Sequence, residues 1–133
     1  MPAFGKRSKV HLETCHIDLQ KVLNSAILDG PDFAVICGHR GKDEQDQAVN
    51  QGFSKARFPT SKHNQKPSIA VDVVPYPVDW HDRDRFVALA KHILAWAERT
   101  GVKLRWGGDW DGDGDWKDER FLDMPHFELV IGT

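Results

Sequence analysis

The stretch "SKHNQKPSIAVDVVPY", residues 61–76, joins a polar loop to a short strand rich in β-branched residues. In "IAVDVV", alternation places Ile69, Val71 and Val73 on one face of the strand and Asp72 on the other. A carboxylate buried among valines is costly unless it is paired or binds a metal ion. The strand itself contains no Arg or Lys. The stretch therefore predicts a sheet strand whose acid needs a cation.

Hydrophobic periodicity on both sides of this strand predicts an α+β fold: a single domain over residues 1–133, with a small, mainly antiparallel sheet and flanking helices. Helices are predicted in "ETCHIDLQKVLNSAILDG" (13–30), "KDEQDQAVNQG" (42–52) and "HDRDRFVALAKHILAWAERTG" (81–101). Strands are predicted in "FAVICG" (33–38), "VKLRWG" (102–107) and "HFELVI" (126–131). The buried stripe of the longest helix is predicted to be Phe86, Leu89, Ala90, Ile93 and Ala97.

Composition excludes several classes of protein. The 133 residues carry a net charge of −2, from 18 basic and 20 acidic residues, which gives no bulk electrostatic reason to bind nucleic acid. No apolar run approaches the roughly 20 residues of a membrane span, and the N-terminus lacks the apolar core of a secretory signal. We expect a monomer made in the cytoplasm, without stable membrane association. Cys15 and Cys37 form no CxxC pair and are expected to be buried free thiols.

His63, Asp72 and His126 have the number and type of ligands found in catalytic zinc sites, where three protein ligands leave one position for water. Neighbouring strands of one sheet could bring them within a few ångströms. Each has an ordinary alternative: a loop histidine is usually solvated, and His126 could pack at the sheet edge. The buried acid is the hardest of the three to explain without a cation.

Two further side chains suit such a site. Asp123 precedes His126 by three residues and could act as general base, although Asp before Pro125 is also a common turn residue. Arg40, in "CGHRGKDEQ", follows a buried strand and could hold a carbonyl oxygen or a substrate carboxylate. Taken alone, such an arginine more often lies on the surface.

From about residue 15 to residue 131, the chain resembles the L-alanyl-D-glutamate endopeptidases, the phage-endolysin and bacterial cell-wall branch of a zinc peptidase family. The resemblance rests on "GHRGKDEQ", "NQGFSKARFPTSKHNQKPSIAVDVVPY", "LRWGGDWDGDGDW" and "DMPHFEL", in that order. D-Ala-D-Ala carboxypeptidases and dipeptidases belong to the same superfamily. The resemblance implies a Hedgehog/DD-peptidase-like fold.

The resemblance also implies a role for each matching residue. The implied roles are His63, Asp72 and His126 as zinc ligands, Asp123 as general base, Arg40 as the group that stabilises the polarised carbonyl, Ser61 as a substrate-binding residue and Gln45 as a structural residue. In one respect the chain departs from the widespread SxHxxGxAxD form: Asp72 follows His63 by nine positions rather than seven, and the glycine is missing.

An acidic loop, "DWDGDGDWKDER", has carboxylates at alternate positions and resembles the start of a calcium-binding loop. The candidate calcium ligands are Asp109, Asp111, Asp113 and Asp115. The twelfth position is Arg120, where a bidentate Glu is expected, so a solvated acidic turn is the alternative. Tryptophans 106, 110 and 116 could line a substrate cleft or close the core.

The resemblance implies a zinc-dependent endopeptidase that hydrolyses the L-Ala–D-Glu bond of peptidoglycan stem peptides. Such a phage or prophage endolysin waits in the cytoplasm until a separate pore-former gives it access to the wall in the periplasm, and one without a wall-binding module suits a Gram-negative host. The alternatives are a D-Ala-D-Ala carboxypeptidase or dipeptidase, and a non-catalytic binding module stabilised by metal. Retention of Asp123 argues against the last, because a structural zinc site needs no base.

Overall fold

The computed structural model describes residues 3–52, 57–108 and 123–130. Four α-helices, one short 3-10 helix and four strands are present in these ranges. In chain order they are α1 (Lys6–Glu13), α2 (Ile17–Ala26), β1 (Phe33–Cys37), α3 (Lys42–Asn50), the 3-10 helix (Lys62–Asn64), β2 (Ala70–Pro75), α4 (Arg83–Thr100), β3 (Leu104–Trp106) and β4 (His126–Leu129).

The four strands form one sheet in the order β1-β2-β4-β3, and every neighbouring pair is antiparallel. This confirms the predicted α+β class with a small antiparallel sheet. Strand β2 lies next to β4, with Asp72 directly opposite His126. Adjacent strands thus bring together two residues that are 54 positions apart in the sequence.

The hydrophobic core lies between the sheet and helices α2 and α4, which pack against each other. Ile69, Val71 and Val73 belong to this core, as alternation along β2 predicted. The predicted stripe of α4 is buried in full. The helix ends at Gly101, whose φ of 75° is the left-handed conformation that glycine adopts readily. Since one face of β2 is used for packing, Asp72 lies on the opposite face.

Helix α1 corrects the sequence analysis, which placed no helix before residue 13. The segment "KRSKVHLE" is mostly polar and buries only Ser8 and Leu12, so it lacks a clear apolar stripe. Its contribution is a polar contact: the Val35 backbone N–H donates to Ser8 Oγ at 3.0 Å. Helix α1 thus packs against the outer strand of the sheet and satisfies a backbone donor there.

The predicted helix over 13–30 is shorter than expected and begins at Ile17. The His16 side chain caps it, since Nδ1 accepts from the Asp18 backbone N–H at 3.0 Å. Among the described residues, no helix has both the length and the apolarity needed to cross a bilayer.

Candidate metal centre and cleft

Three ligand atoms form a nearly equilateral triangle. His63 Nε2 lies 3.3 Å from His126 Nδ1 and 3.4 Å from Asp72 Oδ1, and His126 Nδ1 lies 3.3 Å from Asp72 Oδ1. The 3-10 helix places His63, and the paired strands β2 and β4 place the other two. The fold therefore brings together the three residues predicted as metal ligands.

Hydrogen bonds on the far side of each imidazole fix which nitrogen faces the triangle. His63 Nδ1 lies 2.8 Å from the Gly38 carbonyl oxygen, and His126 Nε2 lies 2.8 Å from Glu128 Oε1. Because both partners only accept, these nitrogens carry the protons. The lone pairs of His63 Nε2 and His126 Nδ1 are left pointing toward Asp72, as metal ligation requires.

Gly38 has to be a glycine for this arrangement. A Cβ built there would meet Thr14 Oγ1 at 2.3 Å and the His11 carbonyl oxygen at 2.4 Å. Because a hydrogen atom replaces the side chain, the end of β1 can approach the end of α1 closely. The Gly38 carbonyl then lies within hydrogen-bonding distance of His63 Nδ1.

The charges of the triangle favour a cation at its centre. Burial opposes ionisation of Asp72, but its interactions with His126 and His63 outweigh the effect of burial and hold the pKa of the carboxyl well below its usual range. Burial likewise disfavours the charged form of His63, yet Asp72 raises the pKa of this imidazole to about 10. Among the described residues, Asp72 Oδ1 is the buried side-chain oxygen without a hydrogen-bond partner. The unpartnered oxygen and the two lone pairs suit a metal ion, which competes with protons for the same nitrogens.

The donor set also narrows the type of metal. Two imidazole nitrogens and one carboxylate oxygen suit zinc and other transition metals, whereas Ca²⁺ takes six to eight oxygen ligands.

Ligand atoms of Asp72, Asp123 and His126 lie within 4.8 Å of one another, as do those of Cys37, His63 and Asp72. Asp123 and Cys37 thus both lie next to residues of the triangle.

Asp123 faces the same centre from a tight turn. Its Oδ2 lies 3.9 Å from His126 Nδ1. Burial and the negative charge of Asp72 raise the pKa of Asp123 to about 6, although His126, His63 and Arg40 act in the opposite direction. A carboxyl with a pKa near neutral can both accept and return a proton at physiological pH.

The position of Asp123 depends on Gly107, just after β3. The Asp123 backbone N–H donates to the Gly107 carbonyl at 2.9 Å, and the Gly107 N–H donates to the His126 carbonyl at 2.7 Å. A Cβ on Gly107 would meet the Asp123 carbonyl oxygen at 2.1 Å. The glycine after Trp106 is therefore needed for the turn that positions the acid.

A cleft of about 680 Å³ opens beside the triangle. Its polar wall includes Arg40, Asp72 and Asp123. The apolar wall is formed by Ile36, Ala48, Trp80, Met124 and Pro125. Arg40 Nη2 lies 3.6 Å from Asp72 Oδ2, so this arginine supplies the positive charge that the β2 strand lacks.

Ser61 makes structural hydrogen bonds and is not among the described residues that line the cleft. Its Oγ accepts from the His63 backbone N–H at 3.2 Å, and its own N–H donates to Asn64 Oδ1 at 3.0 Å. Asn64 Nδ2 in turn donates to the Arg40 carbonyl and to Oε1 of Gln45, a fully buried residue. These bonds join the His63 segment to the Arg40 loop and α3. Substrate binding by Ser61 stays a prediction.

The longer His63–Asp72 connection leaves the triangle intact. Residues 65–67 are exposed, and Ser68 is fully buried beyond them. The Ser68 N–H donates to the Thr14 carbonyl at 2.9 Å, and its carbonyl accepts from the His16 N–H at 2.7 Å. The additional length thus lies in solvent, and the chain is fixed again before β2 begins.

Several other predicted residues can be placed. Trp106 is buried, donates through Nε1 to the Met124 carbonyl at 2.7 Å and stacks on Phe127, so it closes the core. Cys15 and Cys37 are free thiols, but only Cys15 is buried, because Cys37 lies on the cleft wall. The calcium candidates Asp109, Asp111, Asp113 and Asp115, together with Trp110 and Trp116, lie outside the described residues.

Sequence reasoning missed Glu128, whose buried carboxylate holds His126. The signal was available, because residues two apart in a strand share a face and Glu128 follows His126 by two.

Comparison with known proteins identifies relatives of this chain. Residues 2–130 match the family model described as phage L-alanyl-D-glutamate peptidase. The chain is 36% identical over 134 residues to the L-alanyl-D-glutamate peptidase of Escherichia phage T5, covering 96% of this chain and 97% of the relative. The crystal structure of the Serratia marcescens L-Ala D-Glu endopeptidase ChiX superposes with a TM-score of 0.75 at 29% identity, covering 97% of this chain and 91% of that one.

Proposed function

The chain belongs to the phage L-alanyl-D-glutamate peptidase family, and from this premise we propose that its cleft hydrolyses the L-Ala–D-Glu bond of peptidoglycan stem peptides with the help of a zinc ion. The chain is a peptidase by family. The proposal adds the metal, the residues that carry out the reaction and the place where it acts. The observation that carries it is the triangle of His63, Asp72 and His126, which adjoins a cleft whose wall includes Asp72.

The size of the triangle supports zinc. A tetrahedral zinc ion with bonds of about 2.0–2.1 Å separates its ligand atoms by about 3.3–3.4 Å. The three distances between ligand atoms are 3.3, 3.3 and 3.4 Å. When bound, zinc supplies Lewis-acid polarisation of the scissile carbonyl and lowers the pKa of water.

Asp123 is the proposed general base. It lies on the cleft wall, its Oδ2 is 3.9 Å from His126 Nδ1, and its pKa is raised to about 6. Asp123 accepts a proton from the attacking water and later donates it to the leaving amine of D-Glu. Arg40, on the same wall, donates to the carbonyl oxygen as that oxygen gains negative charge.

We place this activity at the bacterial cell wall, in host cell lysis by a phage or prophage. A monomer suffices for the proposed chemistry, because one chain provides all of the proposed catalytic and metal-binding residues. The stem peptide carries carboxylates, and the Arg40 guanidinium in the cleft suits such a substrate. Calcium binding by the acidic loop remains a separate prediction.

Digestion of purified Gram-negative peptidoglycan tests the proposal. We expect new amino termini on D-Glu, detected by mass spectrometry, that disappear with a chelator and return when zinc is added. Release of D-Ala would instead indicate carboxypeptidase specificity. If the folded, zinc-loaded protein cleaves nothing, the binding-module alternative is preferred.

An Asp123→Asn variant separates catalysis from metal binding. We expect kcat to fall about 10²- to 10⁴-fold, because the amide cannot accept the proton. Bound zinc, measured by elemental analysis, should stay near the wild-type stoichiometry. An Asp123→Asn protein that retains full turnover would remove Asp123 from the mechanism.

A further inference from the structure

We propose that Glu128 is a positioning residue that orients His126 for metal binding and links its strand to the segment that carries His63. This inference rests on the proposed metal site. Glu128 follows His126 by two positions in β4, so both side chains lie on the same face of the sheet. Its Oε1 accepts from His126 Nε2 at 2.8 Å.

Glu128 is a carboxylate in a costly position. It is 5% exposed, and an acid is rarely buried this deeply without partners. Arg105, opposite it on β3, donates from Nη2 to Glu128 Oε2 at 2.8 Å. On its other side, Glu128 faces Ala70 of β2, whose small side chain leaves room for the carboxylate. The two oxygens thus have separate partners, since Oε1 accepts from His126 and Oε2 accepts from the Arg105 guanidinium.

The same carboxylate also reaches the other histidine segment. Lys62 Nζ lies 3.5 Å from Glu128 Oε2, and Lys62 immediately precedes His63 in the 3-10 helix. Two of the three proposed ligands, from segments that are remote in sequence, are therefore linked through one buried acid. The third ligand, Asp72, is already fixed opposite His126 by strand pairing.

The orientation of the His126 imidazole matters because only Nδ1 faces the other two proposed ligands. While Nε2–H donates to Glu128, the lone pair is on Nδ1, which lies 3.3 Å from both Asp72 Oδ1 and His63 Nε2. Without Glu128, the ring can exchange tautomers or rotate, and Nδ1 is held less firmly toward the metal. The expected consequence is weaker metal binding, with a lower rate following from it.

Metal affinity and a spectroscopic signature test the inference. Zinc affinity is measured by competition with a chromophoric chelator, the ligand field by the visible absorption of the Co²⁺-substituted protein, and folding by thermal denaturation of the metal-free protein. Glu128→Ala should weaken zinc binding up to about 100-fold, and Glu128→Gln about 10-fold, because the amide oxygen still accepts from Nε2. Both should shift the Co²⁺ bands.

The control is Asp46→Asn, which removes a carboxylate that also accepts an ion-pair hydrogen bond at 2.8 Å, from Lys42 on the exposed face of α3. This variant should match the wild type in affinity and spectrum. If Glu128→Ala does not fold, the isosteric Glu128→Gln variant decides the outcome.

A His126→Ala variant separates the inference about Glu128 from the proposed metal site. If His126→Ala loses zinc while the Glu128 variants bind it like the wild type, the inference about Glu128 is wrong and the proposed function stands. A lower melting temperature with unchanged affinity and Co²⁺ bands would likewise make Glu128 only a stabilising residue. If His126→Ala itself binds zinc normally, the proposed metal site is wrong.

Discussion

The site has two halves that are built differently. Asp72, His126 and Glu128 lie within paired strands, where one register fixes all three side chains at once. His63, Arg40 and Asp123 lie outside the strands, and each is held by its own backbone contacts. The positions of the strand-held side chains therefore depend on the register of the whole sheet, whereas the positions of the loop-held side chains depend on individual local contacts.

This difference predicts different responses to mutation. Within the sheet, a side chain can be substituted without moving the backbone, so the substitution changes only the chemical group at that position. In the loops, one added methyl group can displace a proposed site residue without changing the chemistry of its side chain, because Gly38 and Gly107 lie against backbone oxygens. We expect the three proposed ligands, two of them strand-held, to control whether metal binds, and Asp123 in the loop-held half to control how fast the reaction proceeds.

The largest effect is expected for Asp72→Asn, which keeps the shape but removes the negative charge at one corner of the triangle. Zinc should be lost, and kcat/KM should fall by more than the roughly 10²- to 10⁴-fold that loss of a general base costs. Elemental analysis and stem-peptide hydrolysis measure the two quantities, with Asp46→Asn as the control for removal of a surface carboxylate. Normal zinc content in the Asp72 variant would exclude Asp72 from the metal site.

An intermediate effect is expected for Gly107→Ala in the loop-held half. The new Cβ would meet the Asp123 carbonyl at 2.1 Å, so the turn must shift. A displacement of about 1 Å can cost about 100-fold in rate, and we expect kcat to fall by that order with zinc retained. Gly5→Ala is the control, because nothing lies within 4 Å of a Cβ there. Wild-type kcat in Gly107→Ala would show that the turn adapts without displacing the base.

The smallest effect is expected for Ser61→Ala. Loss of the hydroxyl that accepts from the His63 N–H should lower the free energy of unfolding by about 0.5–2 kcal/mol, as for other helix caps. Denaturant unfolding measures it, with Ser25→Ala on the exposed face of α2 as the control. A raised KM with unchanged kcat would instead indicate that Ser61 also contacts substrate.

The parts of the molecule with regular periodicity could be predicted from the sequence. Alternation along β2 gave the correct core face, and the stripe of α4 was correct residue for residue. The acid at Asp72 could be recognised as needing a cation because burial of a lone carboxylate is costly whatever the fold. The pairing of Asp72 with His126 followed once these two segments were neighbouring strands.

Other features depend on tertiary contacts that no local pattern encodes. Helix α1 was missed because its polar sequence is stabilised by packing on β1. The contact between Arg40 and Asp72 depends on how the loop after β1 folds back over the sheet. The spacing of Glu128 from His126 indicates a shared face, but the contacts of Glu128 with Arg105 and Lys62 depend on how the neighbouring strand and the 3-10 helix pack.

The exposed segment 65–67 has a consequence for protein engineering. Ser61 and Asn64 brace the chain before it, and Ser68 is fixed to the Thr14–His16 junction after it. A short flexible graft between Gln65 and Lys66, such as a peptide with affinity for the bacterial surface, should therefore be tolerated close to the cleft. Retained zinc content and melting temperature in the grafted protein would verify this tolerance. The loop could then carry a targeting sequence without fusion at either terminus.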